Sequence, residues 1–439
     1  MTTRREALGA LMLPVLPGAC TPRRQWVGPG PGAARVPPPP GSSSPEEIAR
    51  NEDYWAEVAR AFTIDRSSIN LNNGGGSPSP AVVQQAMLRH LSMANSTPTW
   101  QALTSAVAPQ REVVRQRLAT HWGVDAEELA ITRSTTEGLE ICQLGIDLAR
   151  GDEVLATTQD YPGMIATFKQ RERREGIVLR QFKLPVPPAE DPARIVALYE
   201  SNITPRTRLI LVTHVSNYTG LVMPVPEIAA MARKRGIPVM VDGAHSLAHF
   251  DFKISDLGCD YFAASLHKWL FAPHGTGLLY VRRDKIRGLW PLMPASPKLD
   301  DNIRKFEQVG LQPAANALAV AEALTFHQAI GGTRKEARLL YLRNIWTKRL
   351  LASGRVKLLS SLRPAPPRVT SSIAMIEIEG IDPAKLSTYL WDKHRIHTIG
   401  ILHDEFRGLR VTPSVYTTLE ELDRFCTVVE QVIRNGLPA

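Results

Sequence analysis

Helical segments alternate with short β-rich runs from about residue 110 to residue 290, and this alternation constrains the fold more than any other feature of the chain. The runs at 209–212 and 239–241 are apolar at every position, as in strands that are buried on both faces of a parallel sheet. Alternating helices and strands are typical of a doubly wound α/β domain, which binds ligands beyond the carboxyl ends of its strands. We therefore predict a large, mainly parallel α/β domain.

Apolar spacing also predicts the individual elements. Helices are predicted at 109–121, 136–149, 162–174 and 225–235. Strands are predicted at 129–132, 153–156, 178–182, 208–213, 237–241, 260–264 and 277–281. Farther on, one long helical stretch (313–353) leads to a smaller α+β unit with a strand at 372–380 and a closing amphipathic helix at 420–435.

The first 45 residues differ from the rest in charge and proline content. They carry five arginines against one acid, a local +4 out of a net charge of +9, and ten of the 34 prolines. This composition predicts a leader (1–20) and a Pro/Gly/Ser-rich spacer (21–45). Arg4-Arg5 before a short apolar run resembles a twin-arginine signal for export to the periplasm, and the alternative is a cytoplasmic protein. Membrane attachment is expected only if Cys20 is lipidated.

The folded part is expected to begin near residue 45. Ser44-Pro45-Glu46-Glu47 has the residues of a capping box, with proline at the first helical position. We divide the chain from residue 46 onward into a large α/β domain (46–310) and a linking helix with a small α+β domain (311–439). Residues 46–75 are expected to contribute to the small domain.

A carboxylate and a lysine follow two of the predicted strands. Asp242 ends a buried run, where a carboxylate is costly unless it is paired, and Lys268 lies in the apolar, aromatic segment SLHKWL. Burial lowers the pKa of a lysine and leaves a neutral amine that can form a Schiff base. Pyridoxal phosphate needs such a lysine and an acid for its ring nitrogen. Taken alone, Lys268 could be a surface lysine and Asp242 a helix cap, but the two together favour this cofactor.

A possible phosphate site follows the strand at 129–132. Ser134, Thr135 and Thr136 are small hydroxyl residues at a predicted helix N-terminus, where free N–H groups and the helix dipole attract anions. An ordinary N-cap accounts for the same residues. The motif therefore indicates a phosphate site only in combination with Asp242 and Lys268.

Five motifs, in this order and at these separations, resemble the class V aminotransferase family of fold-type I pyridoxal phosphate enzymes. They are HVSNYTG (214–220), VDGAHS (241–246), SLHKW (265–269), GTGLLYV (275–281) and LRVTPSVY (409–416). The resemblance extends over about residues 65–435 and is nearest to the isopenicillin N epimerase-like branch, with cysteine desulfurases more distant. It implies pyridoxal phosphate, a small amino-acid-type substrate and a homodimer.

The resemblance also implies roles for single residues. Lys268 would be the Schiff-base lysine, Asp242 the partner of the ring nitrogen, and His245 a third catalytic residue. The other implied cofactor contacts are Asn217 at the phenolic oxygen, Tyr161 over the ring, Ser134, Thr135, Thr136, Ser265 and His267 at the phosphate, and Thr276 at the partner subunit's phosphate. The implied substrate contacts are Asn73, Gly74 and, at the α-carboxylate, Arg410. A Tyr-Pro turn and a salt bridge are the alternatives for Tyr161 and Arg410.

The loop before Arg410 departs from the desulfurase pattern. Cysteine desulfurases carry a persulfide-forming cysteine there, but residues 396–408 contain none, which disfavours desulfuration. His403, Asp404 and Glu405 occupy the loop and either contact substrate or are solvated, and we favour solvation. We expect epimerase or lyase chemistry at an α-carbon, with transamination as the alternative. An inactive exported binding protein on the same fold is the alternative of another class.

Composition argues against other function classes. The four cysteines are scattered, which predicts neither a disulfide framework nor a metal site. The basic runs at 171–174 and 233–235 lie on amphipathic helices with acids or apolar residues nearby. They predict solvated faces, and no nucleic-acid partner is expected.

Overall fold

The computed structural model describes residues 36–38, 41, 43–188, 191–362 and 369–438. The predicted leader and most of the spacer, including Arg4, Arg5 and Cys20, lie outside these residues, so export and lipidation stay predictions. Within the described part, no helix is both long and apolar enough to cross a membrane.

The described residues form fourteen α-helices and thirteen strands. The helices are α1 (Pro45–Ala49), α2 (Glu52–Arg60), α3 (Ala81–Ser96), α4 (Trp100–Trp122), α5 (Thr135–Gly145), α6 (Pro162–Glu175), α7 (Pro192–Ser201), α8 (Val225–Arg233), α9 (Arg283–Ile286), α10 (Ala314–Leu318), α11 (Val320–Ile330), α12 (Gly332–Leu351), α13 (Pro383–His394) and α14 (Leu419–Asn435). The strands are β1 (Ile69–Asn70), β2 (Leu129–Thr132), β3 (Glu153–Thr157), β4 (Val178–Phe182), β5 (Thr207–Thr213), β6 (Val239–Asp242), β7 (Tyr261–Ser265), β8 (Gly277–Val281), β9 (Val356–Leu358), β10 (Ala374–Ile378), β11 (Ile396–His397), β12 (Ile399–Leu402) and β13 (Arg407–Val411).

A seven-stranded sheet forms the centre of the larger domain, in the order β2-β8-β7-β6-β5-β3-β4. All neighbouring strands are parallel except β8, which runs antiparallel to β2 and β7. Alternate residues of β5 join different apolar clusters, with Ile210 and Val212 in one and Leu209 and Leu211 in the other. The sheet is therefore buried on both faces, as its apolar runs predict.

The predicted strands at 129–132, 178–182 and 277–281 agree with β2, β4 and β8 residue for residue. Strand β6 begins two residues later than predicted and includes Asp242. The cause is Pro238, which has no N–H to donate to a strand ladder.

Three helix predictions differ from the structure by more than two residues, and the first is the helix predicted at 136–149, which ends at Gly145. Helix α4 begins at Trp100 and contains Pro109, where we predicted the helix to start. The stretch at 313–353 is three helices instead of one, and Gly331, with a φ of +82°, separates the last two. Such a φ is in the region that favours glycine and cannot continue a helix.

The smaller domain has an antiparallel sheet in the order β12-β13-β10-β9. The N-terminal segment reaches it, because β1 pairs in parallel with β11. Ile69 and Leu71 share an apolar cluster with residues of α12, α13 and α14, including Trp346, Leu390 and Phe425. The loop after β1 is thereby held between the two domains, next to the carboxyl ends of the large sheet.

Candidate active site

A cavity of about 200 Å³ lies at the carboxyl ends of β5, β6 and β7. Its walls bring together most of the residues that the sequence predicts for the site. These are Ser134, Thr135, Thr136, Tyr161, Asn217, Asp242, His245, Ser265, His267 and Lys268. Gly75, Met164, Thr213 and Ala244 also line the cavity and were missed. Because Thr213 and Asp242 are paired ends of adjacent strands, strand order would have identified Thr213.

Asp242 and Lys268 form the charged part of the wall. The Asp242 carboxylate is buried and accepts a hydrogen bond from the Ala244 N–H at 2.9 Å. Burial raises the pKa of the Asp242 carboxyl, and the Lys268 charge opposes this shift. Burial also lowers the pKa of the Lys268 amine to about 8, although the Asp242 charge raises it. At neutral pH the neutral amine is therefore far more populated than in an ordinary lysine, so Lys268 can act as nucleophile and base.

The N-terminus of α5 supplies donors for an anion. Ser134 caps the helix, since its hydroxyl accepts from the Glu137 N–H at 3.1 Å. The Thr135 N–H donates to the Ser265 hydroxyl at 2.9 Å, and the two hydroxyls are 2.8 Å apart. Gly277 allows this close packing, because a Cβ there would lie 2.7 Å from the Ser134 nitrogen. The helix dipole and these hydroxyl groups suit a phosphate.

His267 extends the same wall, and Thr276 lies behind it. The His267 Nδ1 is 3.0 Å from the Thr276 carbonyl oxygen, and burial lowers the pKa of the imidazole. The Thr276 hydroxyl donates to the Pro273 carbonyl at 2.6 Å and does not line the cavity. Its implied contact with a partner subunit stays a prediction.

Two buried polar atoms on the wall have no hydrogen-bond partner, His245 Nδ1 and Asn217 Oδ1. Burial, with the nearby charges of Lys268 and Arg410, lowers the pKa of His245 well below its usual value, so the ring is neutral. Gly74 lies against this ring, because a Cβ on Gly74 would be 3.2 Å from His245 Cε1. Buried polar atoms without partners are costly, and their position on a cavity indicates a polar ligand.

Arg410, on β13, lies behind Asn217. It donates to the Asn217 carbonyl at 2.8 Å and to Asn72 Oδ1 at 2.6 Å, while its Nε has no partner. Burial lowers the pKa of the Arg410 guanidinium to about 10, and no carboxylate of the described residues opposes this shift. The salt-bridge alternative is therefore not observed within the described chain. A guanidinium without an acid partner is suited to bind a substrate carboxylate bidentately.

Asn73 is not a wall residue, contrary to the prediction. Its amide nitrogen donates to the Asn70 carbonyl at 2.9 Å and to the Thr412 carbonyl at 3.0 Å. Its oxygen accepts from the Tyr416 hydroxyl. These bonds use the whole side chain to join the N-terminal loop to the smaller domain, so Asn73 has a structural role here.

The preceding residue, Asn72, does not line the cavity either, but it is the asparagine of this loop that contacts Arg410. Besides accepting from Arg410, its amide nitrogen is 3.2 Å from His397 Nε2. Asn72 forms a bridge with Thr412, next to β13. The sequence alone cannot distinguish these adjacent asparagines, because pairing across more than 300 residues sets the register.

Tyr161 lies at the cavity mouth, where it is 47% exposed and precedes the first turn of α6. The loop before Arg410 is close by, and it is not simply solvated as we favoured. His403 Nε2 is 3.0 Å from the Thr158 carbonyl oxygen, and the His403 ring stacks on Phe406 with centroids 4.3 Å apart. The tip of the β12–β13 hairpin thus contacts the large domain, while Asp404 is exposed.

The cysteines of the described residues are away from the cavity. Cys142, Cys259 and Cys426 are buried, and burial raises the pKa of each thiol. None of the three lines the cavity. The described residues contain no cluster of three or more His, Cys, Asp or Glu side chains that could hold a metal ion.

Comparisons with known proteins identify the family of the chain. The family model "Aminotransferase class-V" matches residues 69–425. The isopenicillin N epimerases of Amycolatopsis lactamdurans and Streptomyces clavuligerus are each 30% identical to the chain, over 396 and 393 residues, which is 86% of this chain and 98% of each relative. The apo structure of a cysteine desulfurase from Thermococcus onnurineus NA1 matches with a TM-score of 0.76 at 23% identity, covering 88% of this chain and 98% of that one.

The similarity extends over most of the chain in sequence and in fold. The predicted fold class and cofactor are confirmed. The chain belongs to the class-V aminotransferase family of fold-type I, pyridoxal phosphate-dependent enzymes.

Proposed function

We propose that this protein acts at the α-carbon of an amino acid or an amino-acid-containing compound, as an epimerase or a lyase. One observation carries the proposal: the charges of both Asp242 and Arg410 act on the pKa of Lys268, so the three side chains lie close together. An amine with a lowered pKa and a buried acid thus line one cavity, and a guanidinium without an acid partner lies behind Asn217 in its wall. An α-amino acid offers a carboxylate for the guanidinium and an α-hydrogen for the amine to remove.

The residues of the cavity fit pyridoxal phosphate. Asp242 would pair with the ring nitrogen, and Asn217 and His245 offer polar atoms that lack partners. Ser134, Thr135, Thr136, Ser265 and His267 would hold the phosphate, and Tyr161 would cover the ring. When bound, the cofactor supplies an aldehyde for amines and an electron-withdrawing ring that weakens bonds at the amine-bearing carbon.

The chain's own groups then divide the remaining work. Arg410 binds the substrate carboxylate through its Nε–H and the terminal N–H groups that do not bond to Asn217 or Asn72. The Lys268 amine removes the α-hydrogen as a proton and returns it, a task that its pKa of about 8 suits near neutral pH. The Asp242 carboxylate favours the protonated form of the Lys268 amine and would favour a protonated ring nitrogen in the same way. Return of the proton by Lys268 to the same face restores the configuration, and delivery of a proton to the opposite face by a second donor inverts it.

The position of the cysteines favours this chemistry over desulfuration through a protein thiol. The three cysteines of the described residues are buried away from the cavity, and a neutral buried thiol is a poor nucleophile. The similarity to isopenicillin N epimerases supports epimerisation. Transamination on the same site is the second candidate. An inactive binding protein is disfavoured, because binding alone does not need the lowered pKa of Lys268.

Exchange of the α-hydrogen in deuterium oxide tests the proposal. Loaded protein is incubated with single amino acids and short amino-acid-containing compounds, and NMR and chiral chromatography follow the products. An epimerase interconverts enantiomers with deuterium at the α-carbon, a lyase releases a β-substituent, and a transaminase needs an oxo-acid acceptor. Absence of exchange with every compound, in protein that has bound the cofactor, would contradict the proposal.

We also propose twin-arginine export and a homodimer. The arginine pair supports export, and a variant with lysine at positions 4 and 5 should stay in the cytoplasm, whereas unchanged export refutes this route. The homodimer is supported by apolar side chains that are more than half exposed in the single chain, among them Leu88, Trp100 and Leu311. Light scattering should give twice the chain mass, and a monomeric mass refutes the dimer.

A further inference from the structure

His249, four residues after His245, connects the two domains behind the cavity. It is buried, and both of its ring nitrogens make polar contacts. Its Nδ1 is 2.8 Å from the His245 carbonyl oxygen. Its Nε2 is 2.7 Å from the Ser372 hydroxyl and accepts from the Ser372 N–H at 3.2 Å. Ser372 lies just before β10 of the smaller domain, so one imidazole contacts both domains.

These contacts assign the tautomer of the ring. The Ser372 backbone N–H can only donate, so the Nε2 that faces it carries no proton. The proton of the neutral ring is then on Nδ1, where it donates to the His245 carbonyl. A protonated, cationic ring would lose the bond from the Ser372 N–H.

The ring of His249 also stacks on Trp269, with centroids 3.9 Å apart and planes inclined by 24°. Trp269 directly follows Lys268 in the chain. Its carbonyl oxygen accepts from the amine of Lys335, which is fully buried. The residue after Lys268 is therefore held at its ring by His249 and at its backbone by Lys335.

We infer that His249 is a positioning residue for the reaction at Lys268. It fixes the backbone of His245 and the ring of Trp269, and through Ser372 it makes both depend on docking of the smaller domain. His249 does not line the cavity, so it acts only through these neighbours. This inference rests on the proposed function, and it adds a link between domain docking and the catalytic groups.

Two amide variants separate the two nitrogen contacts. His249→Asn places an amide nitrogen near the position of Nδ1 and keeps the donor to His245. His249→Gln places an amide oxygen near the position of Nε2 and keeps the acceptor for Ser372, and both variants lose the stacked ring. Ser372→Ala removes one hydroxyl and serves as a third variant that leaves the imidazole in place.

The loaded variants are compared with the wild type in two measurements. These are the pH midpoint of the bound cofactor's visible absorption and the rate of α-hydrogen exchange at saturating substrate. We expect both His249 variants to bind the cofactor, to shift the midpoint and to exchange roughly 10-fold more slowly, since small misplacements of reacting groups are costly. Ser372→Ala should shift the midpoint in the same direction by a smaller amount.

An unchanged midpoint and an unchanged rate per folded molecule in the His249 variants would overturn the inference, whatever their melting temperatures. If the two His249 variants do not fold, the inference is tested by the pH midpoint of the cofactor absorption in Ser372→Ala and by the tautomer of the His249 ring. The tautomer is measured on wild-type protein by ¹⁵N NMR of labelled histidine, and an Nε2-protonated or cationic His249 overturns the inference. Failure of the proposed function is distinct, because it appears as absent exchange in the wild type.

Discussion

Two walls of the same cavity are built in different ways. The cofactor wall, formed by the α5 N-terminus, Ser265, Asp242 and Lys268, comes from strand ends of one sheet, and its hydroxyls already bond to one another. The substrate wall is Asn217, which lines the cavity, together with Arg410 and Asn72 directly behind it, and these residues come from segments far apart in the chain. It has unpartnered polar atoms, Asn217 Oδ1 and Arg410 Nε.

This difference indicates what each wall depends on. The sheet positions the residues of the cofactor wall, and the smaller domain acts on this wall through the proposed contact of His249 with Ser372. The substrate wall exists only when β13 and the loop after β1 dock at the sheet edge. Variants of the cofactor wall should therefore affect cofactor binding and proton transfer, and variants of the substrate wall should affect substrate affinity.

The largest effect is expected for Lys268→Ala, in the cofactor wall. Loss of the amine removes the acid–base group, and α-hydrogen exchange should fall by about 10²- to 10⁴-fold. Exchange followed by NMR measures this fall, and circular dichroism checks the fold. A variant that keeps more than a tenth of the wild-type rate would assign the proton transfer to another residue.

Arg410→Gln tests the substrate wall. The KM of a carboxylate substrate should rise by about 10- to 100-fold, since a charge-assisted hydrogen bond contributes roughly 1.5–3 kcal/mol. The visible absorption of the bound cofactor should stay unchanged. Arg410→Lys is the matched control, and it should recover only part of the affinity because lysine lacks the planar fork. An altered cofactor spectrum with normal KM would reverse the assignment of the walls.

The adjacent asparagines give a smaller and sharper contrast. Asn72→Ala removes the acceptor that orients Arg410, and KM should rise roughly 5-fold, for about 1 kcal/mol, with little change in melting temperature. Asn73→Ala leaves Tyr416 without its acceptor inside the protein, and the free energy of unfolding should fall by about 1–3 kcal/mol. Steady-state kinetics and thermal unfolding measure the two effects. A higher KM in Asn73→Ala together with a lower free energy of unfolding in Asn72→Ala would show that Asn73, and not Asn72, faces the substrate.

The smallest effect concerns pH. The pKa of Lys268 is lowered to about 8, so its reactive neutral form increases as pH rises through 8. The rate at which the cofactor-free protein takes up pyridoxal phosphate should therefore rise with a midpoint near pH 8. The Asp242 carboxylate raises the pKa of Lys268, so Asp242→Asn should move the midpoint to lower pH. A midpoint near pH 10.5, or a shift upward in the variant, would contradict this coupling.

The cofactor wall could be predicted from the sequence because its residues lie at the end of a recognisable strand or within a few residues after it. Asp242, Ser265 and Lys268 are examples, and their strands were predicted to within two residues. Thr213 was missed because a lone threonine at the end of a strand carries no chemical signal. Residues of this wall need only local pattern and strand order.

The substrate wall could be predicted only in part. Arg410 was identified by its motif, but its partners Asn72 and the Asn217 carbonyl are set by domain docking. His403 was expected to be solvated because a polar loop looks the same in sequence whether it is free or docked. The sequence also did not show that the helix ends at Gly331 or that helix α4 continues through Pro109. Glycine and proline are each found both inside helices and at their ends, and packing decides between the two.

The most direct test of the account is the identity of the lysine that bonds to the cofactor. Loaded protein is reduced with borohydride and digested, and its peptides are mapped by mass spectrometry. Lys335 is a stringent internal control, because it too is buried with a lowered pKa and donates to the residue next to Lys268. The account predicts the mass of the reduced cofactor on Lys268 alone. The mass on Lys335, or no cofactor bound by the wild type, would contradict it.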